Sequence, residues 1–109
     1  MKTKCIKIRL KPGCLERARE WAAEINRRSD EALATLRDEG VSIESAFLDT
    51  TGEGDFLIYY MRAIDFEHAK EVVSRSTHPI DAYHQQFKQD CWDERQHLEL
   101  LVDLVTEAK

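Results

Sequence analysis

The stretch Val41 to Ile64, VSIESAFLDTTGEGDFLIYYMRAI, constrains the fold more than any other part of the chain. It reads as two strands joined by a turn at Thr50-Thr51-Gly52-Glu53-Gly54-Asp55, where two glycines tolerate positive φ and small polar side chains bond their own backbone. In the first strand Ile43, Ser45 and Phe47 share one face, and Glu44, Ala46 and Leu48 the other. In the second, Phe56, Ile58 and Tyr60 oppose Leu57, Tyr59 and Met61, so both faces require cover. One layer of helices covers only one of them. The hairpin is therefore expected at the centre of a sheet whose second face meets a partner, a copy of itself.

The flanking segments supply the rest of such a sheet. Thr3 to Leu10 alternates, with Ile6, Ile8 and Leu10 facing one way and Cys5, Lys7 and Arg9 the other, until Lys11-Pro12-Gly13 stops it. Apolar residues at Leu15, Ala18, Ala22, Ile25, Ala32, Leu33 and Leu36, with Trp21 widening the stripe, predict a helix of about 25 residues. Polar residues from Asn26 to Asp30 interrupt the stripe, so a kink is expected there, and Gly40 suits the C-cap. After the hairpin, Asp65 is placed to cap a short helix carrying Phe66, Ala69, Val72 and Val73. Ser74 to His78 reads as a loop, and Pro79 fits the first position of a helix with Ile80, Tyr83, Phe87 and Cys91 on its buried face. Trp92 to Gln96 reads as a connector. Leu98 to Val105 fits either a strand, through Leu98, Leu100, Val102 and Leu104, or a helix, through Leu98, Leu101, Val102 and Val105; topology favours the strand. The resulting order, β-α-β-β-α-(α)-β, is that of an α+β, ferredoxin-like sandwich formed by one domain over residues 1–109, with a four-stranded antiparallel sheet. Two such sheets, open face to open face, make a dimeric α/β barrel.

Charge and composition exclude several partners. A net charge of −5 lacks the clustered basic surface that phosphate neutralisation requires, so no nucleic-acid partner is expected. Lys2, Lys4, Lys7, Arg9 and Lys11 alternate along the first strand and read as a solvated edge. No apolar run approaches the ~20 residues of a membrane span, and no hydrophobic stretch follows the N-terminal lysines, which leads to the expectation of no membrane partner and a cytoplasmic location. Cys5, Cys14 and Cys91 are odd in number and lack CxxC spacing, so reduced thiols are expected.

The densest polar constellation is THPIDAYHQQFKQDCW, Thr77 to Trp92. Asp81 and His84 lie three apart on a predicted helix, where a carboxylate fixes the tautomer of an imidazole and raises its basicity. His78 stands just before that helix, either as its cap or in the same cleft. These residues make His84 the candidate proton-transfer group, Asp81 its orienter and His78 a further catalytic candidate. Tyr59 or Tyr60, with Arg62 and Trp92, are the candidate substrate-binding residues. The plainer reading is solvated helix polarity and a simple cap. His78 and His84 lack the i,i+4 spacing of a histidine-pair metal helix, and neither a metal nor a cofactor is expected.

The run LKPG at 10–13, the helix WAAEINRRSDEALATLRDEGV, the hairpin ESAFLDTTGEGDFLIYYMRA and the segment STHPIDAYHQQFKQDCW together resemble a family of small bacterial domains of unknown function. That resemblance implies a ferredoxin-like, dimeric α/β-barrel fold and brings no assigned activity. SAFLD at 45–49, after a long first helix, is also similar to the rhamnose mutarotases. Mutarotases of that kind carry a histidine on the first helix, whereas the histidines of this chain are His68, His78, His84 and His97. Cofactor-independent monooxygenases of the antibiotic-biosynthesis type share the fold only. The expectation is a homodimer with a small-molecule cleft, acting as a proton-transfer enzyme such as a sugar mutarotase; a non-catalytic binding or assembly module and a cofactor-free oxygenase are the alternatives.

Overall fold

The computed structural model describes residues 1–106. Alternation builds β1 (Lys2–Leu10), whose Ile6, Ile8 and Leu10 are buried. The long apolar stripe then forms two helices, α1 (Leu15–Arg27) and α2 (Ser29–Glu39). The break falls at Arg28, inside the polar interruption, where the backbone turns to φ −107° and ψ 36° and the guanidinium joins Glu24 to Glu31 across the junction. Gly40 ends α2 at φ 73°, a left-handed conformation that glycine adopts without a Cβ penalty.

The hairpin consists of β2 (Val41–Thr51) and β3 (Gly54–Ala63), joined by Gly52 and Glu53 alone. Thr51 Oγ1 accepts from the Glu53 N–H at 3.1 Å and donates to the Gly54 carbonyl at 2.8 Å, closing the turn. Asp65 caps α3 (Phe66–Ser74) by accepting from the Glu67 N–H at 2.9 Å, and Pro79 opens α4 (Pro79–Cys91).

The fourth strand corrects the sequence expectation. It is β4 (Trp92–His97), the segment read as a connector, while Leu98 to Val105 carries no regular structure. WDERQH lacks an apolar alternation because β4 is an edge strand, largely exposed along its length. A short charged edge also discourages pairing with foreign strands. Sheet order is β2-β3-β1-β4, with β3 antiparallel to β2 and β1, and β4 antiparallel to β1. This is an α+β, ferredoxin-like arrangement: four helices over a four-stranded antiparallel sheet.

Register fixes the two faces. Ile6 opposite Tyr59 and Ile8 opposite Leu57 face the helices and form the core with Trp21, Phe87 and Cys91. A smaller core, Val41, Ala63 and Ala69, lies under α2 and α3. The far face carries Ile43, Phe47, Ile58 and Tyr60, with Phe47 59% exposed. Leu100, Leu101, Val102, Leu104 and Val105 are exposed as well, although Asp103 reaches back to Arg62 at 2.6 Å and Thr3 at 3.1 Å.

The cysteines give a second correction. Cys14, just before α1, and Cys91, ending α4, form a disulfide with 5.7 Å between their Cα atoms, leaving Cys5 free. Their separation of 77 residues hides the pairing from any local spacing rule. The Lys11 N–H donates to the Cys91 carbonyl at 2.8 Å, holding the same two segments together.

Candidate functional site

Tyr59 stands in the middle of the helix-facing side of β3, between Ala46 of β2 and Ile6 of β1. α4 brings His84 to it, and Trp92 follows as soon as α4 gives way to β4. Ring centroids are 6.3 Å apart for Tyr59 and His84, 5.5 Å for Tyr59 and Trp92, and 6.2 Å for His84 and Trp92. Trp21 of α1 closes the group, stacked on Phe87 at 4.8 Å, and its Nε1–H donates to His84 Nδ1 at 3.1 Å.

That bond determines the state of the imidazole. Nδ1 is the acceptor, so the neutral ring carries its proton on Nε2. Burial pushes the His84 pKa down to about 4, and the charge of Lys88 adds to the effect, so the ring is a neutral donor at physiological pH. Burial holds the Tyr59 phenol well above its ordinary value, with the charge of Glu44 acting in the same direction. Tyr59 Oη and Trp92 Nε1 are both buried without a hydrogen-bond partner among the described residues. The cluster thus presents two unpartnered polar groups beside a neutral imidazole.

Two charged residues border it. Glu44 lies on the helix-facing side of β2, in one row with Met61 and Lys4. Much of its side chain reaches solvent, but crowding around the carboxyl raises its pKa; Asp81 adds to this, while Lys88 and Lys4 oppose it. Lys88, one helical turn after His84, holds its ammonium 4.7 Å from the Trp92 ring centroid. Desolvation lowers its pKa, helped by Arg95 and Lys4 and opposed by Glu44. Desolvation thus moves the Glu44 carboxyl up and the Lys88 ammonium down, each in the direction of the range where general acids and bases work.

Of the expected site residues, Tyr59, His84 and Trp92 come together, and the others do not join them. Tyr60 and Arg62 lie on the far face of the sheet, since neighbours along a strand point to opposite sides. There Arg62 Nε donates to Tyr60 Oη at 3.0 Å and the guanidinium pairs with Asp103. Asp81 does not orient His84. Three residues along a helix leave the two side chains about 60° apart around the axis, and Asp81 accepts from the Ser76 hydroxyl while His84 accepts from Trp21. His78 Nε2 meets Asp38 at 3.1 Å and makes no side-chain cap. Glu44, Lys88 and Trp21 are the residues that sequence reasoning did not assign to the site. For Glu44 the signal was a lone charge beside Ala46 and Leu48 on one strand face; for Lys88, its i,i+4 spacing from His84.

Two cavities lie away from this cluster. One, of about 230 Å³, is lined by Asp38, Glu39, Ser76, His78 and Asp81 among others; the second, of about 570 Å³, borders α3 at Asp65, His68 and Lys70. Among the described residues, no group of three or more His, Cys, Asp or Glu side chains is placed to hold a metal ion, and no helix is long and apolar enough to cross a membrane.

The sequence model of a family of unknown function, DUF6176, matches residues 1–109. No curated protein sequence matches the chain. Among solved structures, an L-rhamnose mutarotase from Formosa agariphila, FA22100, superposes with a TM-score of 0.59 at 17% identity, covering 98% of this chain and 100% of that one. An uncharacterized NIPSNAP domain protein from Burkholderia xenovorans superposes with a TM-score of 0.62 at 12% identity, covering 99% of this chain and 100% of that one. At such identities the likeness is one of fold.

Proposed function

Because the chain belongs to DUF6176, a family of unknown function, we propose from the site and from the likeness of fold that it is a proton-transfer enzyme acting on a reducing monosaccharide. The observation that carries this reading is the unpartnered pair of buried polar groups, Tyr59 Oη and Trp92 Nε1, beside neutral His84 and bordered by Glu44 and Lys88. Donors without acceptors suit a ligand rich in oxygen, and tryptophan faces suit the apolar face of a sugar ring.

In this reading Glu44 takes the proton of the anomeric hydroxyl while Lys88 gives one to the ring oxygen. The bond between the anomeric carbon and the ring oxygen breaks as the carbonyl forms. Rotation of the free carbonyl and reversal of both transfers then give the other anomer, with no net oxidation. The sugar first has to part the closed aromatic cluster, after which Tyr59 Oη, His84 Nε2 and Trp92 Nε1 hold its oxygens by hydrogen bonds. The rhamnose mutarotase among the structural neighbours makes a sugar a natural first substrate class, by analogy of fold. The exposed apolar residues on the far face of the sheet, Phe47 and Ile43, support the accompanying proposal of a homodimer.

A second reading, a binding or assembly module without turnover, is favoured by one observation: the two cavities lie away from the aromatic cluster. Thermal shift against a panel of reducing monosaccharides, L-rhamnose included, tests whether the aromatic cluster takes a sugar at all, and anomer exchange then tells turnover from binding. A ligand at 100 times its Kd stabilises the native state by ~2.7 kcal/mol, a Tm rise of roughly 10 °C for a chain of this size. The enzyme reading expects a shift that disappears in His84→Ala while the variant remains folded. Absence of any shift across the panel supports the module instead.

A further inference from the structure

One covalent bond pins the helix layer across the aromatic cluster. Cys14 stands immediately before α1 and Cys91 ends α4, so their disulfide joins the helix that carries Trp21 to the helix that carries His84. Cys91 is fully buried, and the next residue is Trp92, whose ring closes the cluster against Tyr59 and His84. Hydrogen bonding does little to fix that ring. Its Nε1–H is buried without a partner among the described residues, and the pairing of Trp92 with Leu10 lies past a slip in the β1–β4 register between Ile8 and Leu10. The bond one residue before Trp92 is thus the strongest restraint on it.

The two sulfurs differ in access. Cys14 is partly exposed at the start of a helix, where the positive end of the dipole favours a thiolate, whereas Cys91 is 0% exposed. A dithiol reductant therefore reaches Cys14 first. Its thiolate bonds to the Cys14 sulfur, the Cys14–Cys91 bond breaks, and the electron pair leaves on Cys91, which takes up a proton. The second thiol of the reductant then displaces Cys14, which is protonated in turn; the protein gains two electrons and two protons, and the reductant departs as a cyclic disulfide. Two contacts between the same segments do not involve sulfur and keep them together after reduction: Arg17 pairs with Asp90 at 2.8 Å, and the Lys11 N–H donates to the Cys91 carbonyl at 2.8 Å.

We propose that the Cys14–Cys91 disulfide is a redox latch on the aromatic cluster. Oxidised, it holds Trp92 over Tyr59 and His84; reduced by a dithiol, it lets the end of α4 and Trp92 move away and opens the closed cluster to an occupant. The latch governs access and does not rest on the occupant being a sugar.

The chain has two tryptophans, which makes the test direct. Indole N–H exchange of Trp21 and Trp92 is followed by NMR in the whole protein, with and without dithiothreitol, beside the slowest backbone amides of β1 and β3, each expressed as a protection factor. In the oxidised protein the indoles should be protected as long as those amides. In the reduced protein the Trp92 indole should exchange at least ~10-fold faster than they do, a local opening that precedes unfolding. Cys14→Ser should show this opening without reductant, and Cys5→Ser, which removes only the free thiol, should respond to dithiothreitol as the wild type does. The reduced wild type decides the matter if Cys14→Ser does not fold. Indole and strand protection that fall together make the disulfide a staple of the whole fold and overturn the latch. An indole that exchanges freely in the oxidised protein, or one that reduction leaves unchanged, overturns it equally.

Discussion

Replacing Tyr59 by Phe separates stability from binding. The ring is held by Trp92 at 5.5 Å, Trp21 at 6.0 Å and His84 at 6.3 Å, and phenylalanine retains all of those contacts. Only the hydroxyl is lost, and it is buried without a partner among the described residues. A buried unsatisfied polar group costs about 1–3 kcal/mol, so the substitution should stabilise the free protein by up to that amount. For 109 residues the unfolding entropy is about 0.23 kcal/mol/K, and each kcal/mol moves Tm by about 4 °C. Calorimetry of Tyr59→Phe without ligand should show a higher Tm, by about 4–13 °C at the extremes of that range. The same variant should lose much of any monosaccharide-induced shift. A lower Tm in the free variant would mean that the hydroxyl already has a partner, contrary to an orphaned phenol.

Three further outcomes follow from other parts of the molecule. By the loop-entropy relation, the Cys14–Cys91 disulfide, 77 residues apart, stabilises by up to about 4.5 kcal/mol; melts with reductant should fall well below those without, and Cys14→Ser should make the two coincide. His84 and Glu39 give opposed pH dependences. His84 has a folded pKa of about 4 against 6.5, so its contribution is present above 6.5 and lost as pH falls toward 4. Glu39 has one of about 7 against 4.5, so its contribution is present below 4.5 and lost as pH rises through 7. The His84 gap is worth on the order of 3 kcal/mol, and that of the half-solvated Glu39 carboxyl less; urea melts of Glu39→Gln should therefore show stability rising from pH ~4 to ~6.5 and exceed the wild type above pH ~7, and identical profiles would count against a desolvated Glu39 carboxyl. Finally, Phe47→Glu puts a charge on the exposed far face of the sheet; light scattering should show the proposed homodimer giving way to monomer, and a wild type that is already monomeric would count against that proposal.

Where two layers share one face, the sequence was readable. The alternation of β1 predicted its buried Ile6, Ile8 and Leu10, whereas β2 is largely exposed on both of the faces expected to need cover; Asp65 and Pro79 marked their helix starts, and the polar interruption marked the break at Arg28. Strand β4 was hidden because an edge strand needs no apolar alternation, whereas Leu98 to Val105 alternates with no strand to show for it. The candidate site was half legible. Tyr59, His84 and Trp92 stood out as chemistry-bearing residues, but only sheet register shows that Tyr60 and Arg62 belong to the other face. Trp21 holds His84 from 63 positions away, a contact no local motif reveals. The disulfide was missed for the same reason: its partners meet only because the end of α4 lies against the start of α1.

The most direct test of the acid–base assignment is anomer exchange, measured by NMR magnetisation transfer on reducing monosaccharides with the wild-type protein and Glu44→Gln. The account predicts faster exchange of at least one sugar with the wild type, and loss of that acceleration in the variant with Tm and sugar binding retained. Exchange at the uncatalysed rate with the wild type, or full acceleration without the Glu44 carboxylate, would contradict it.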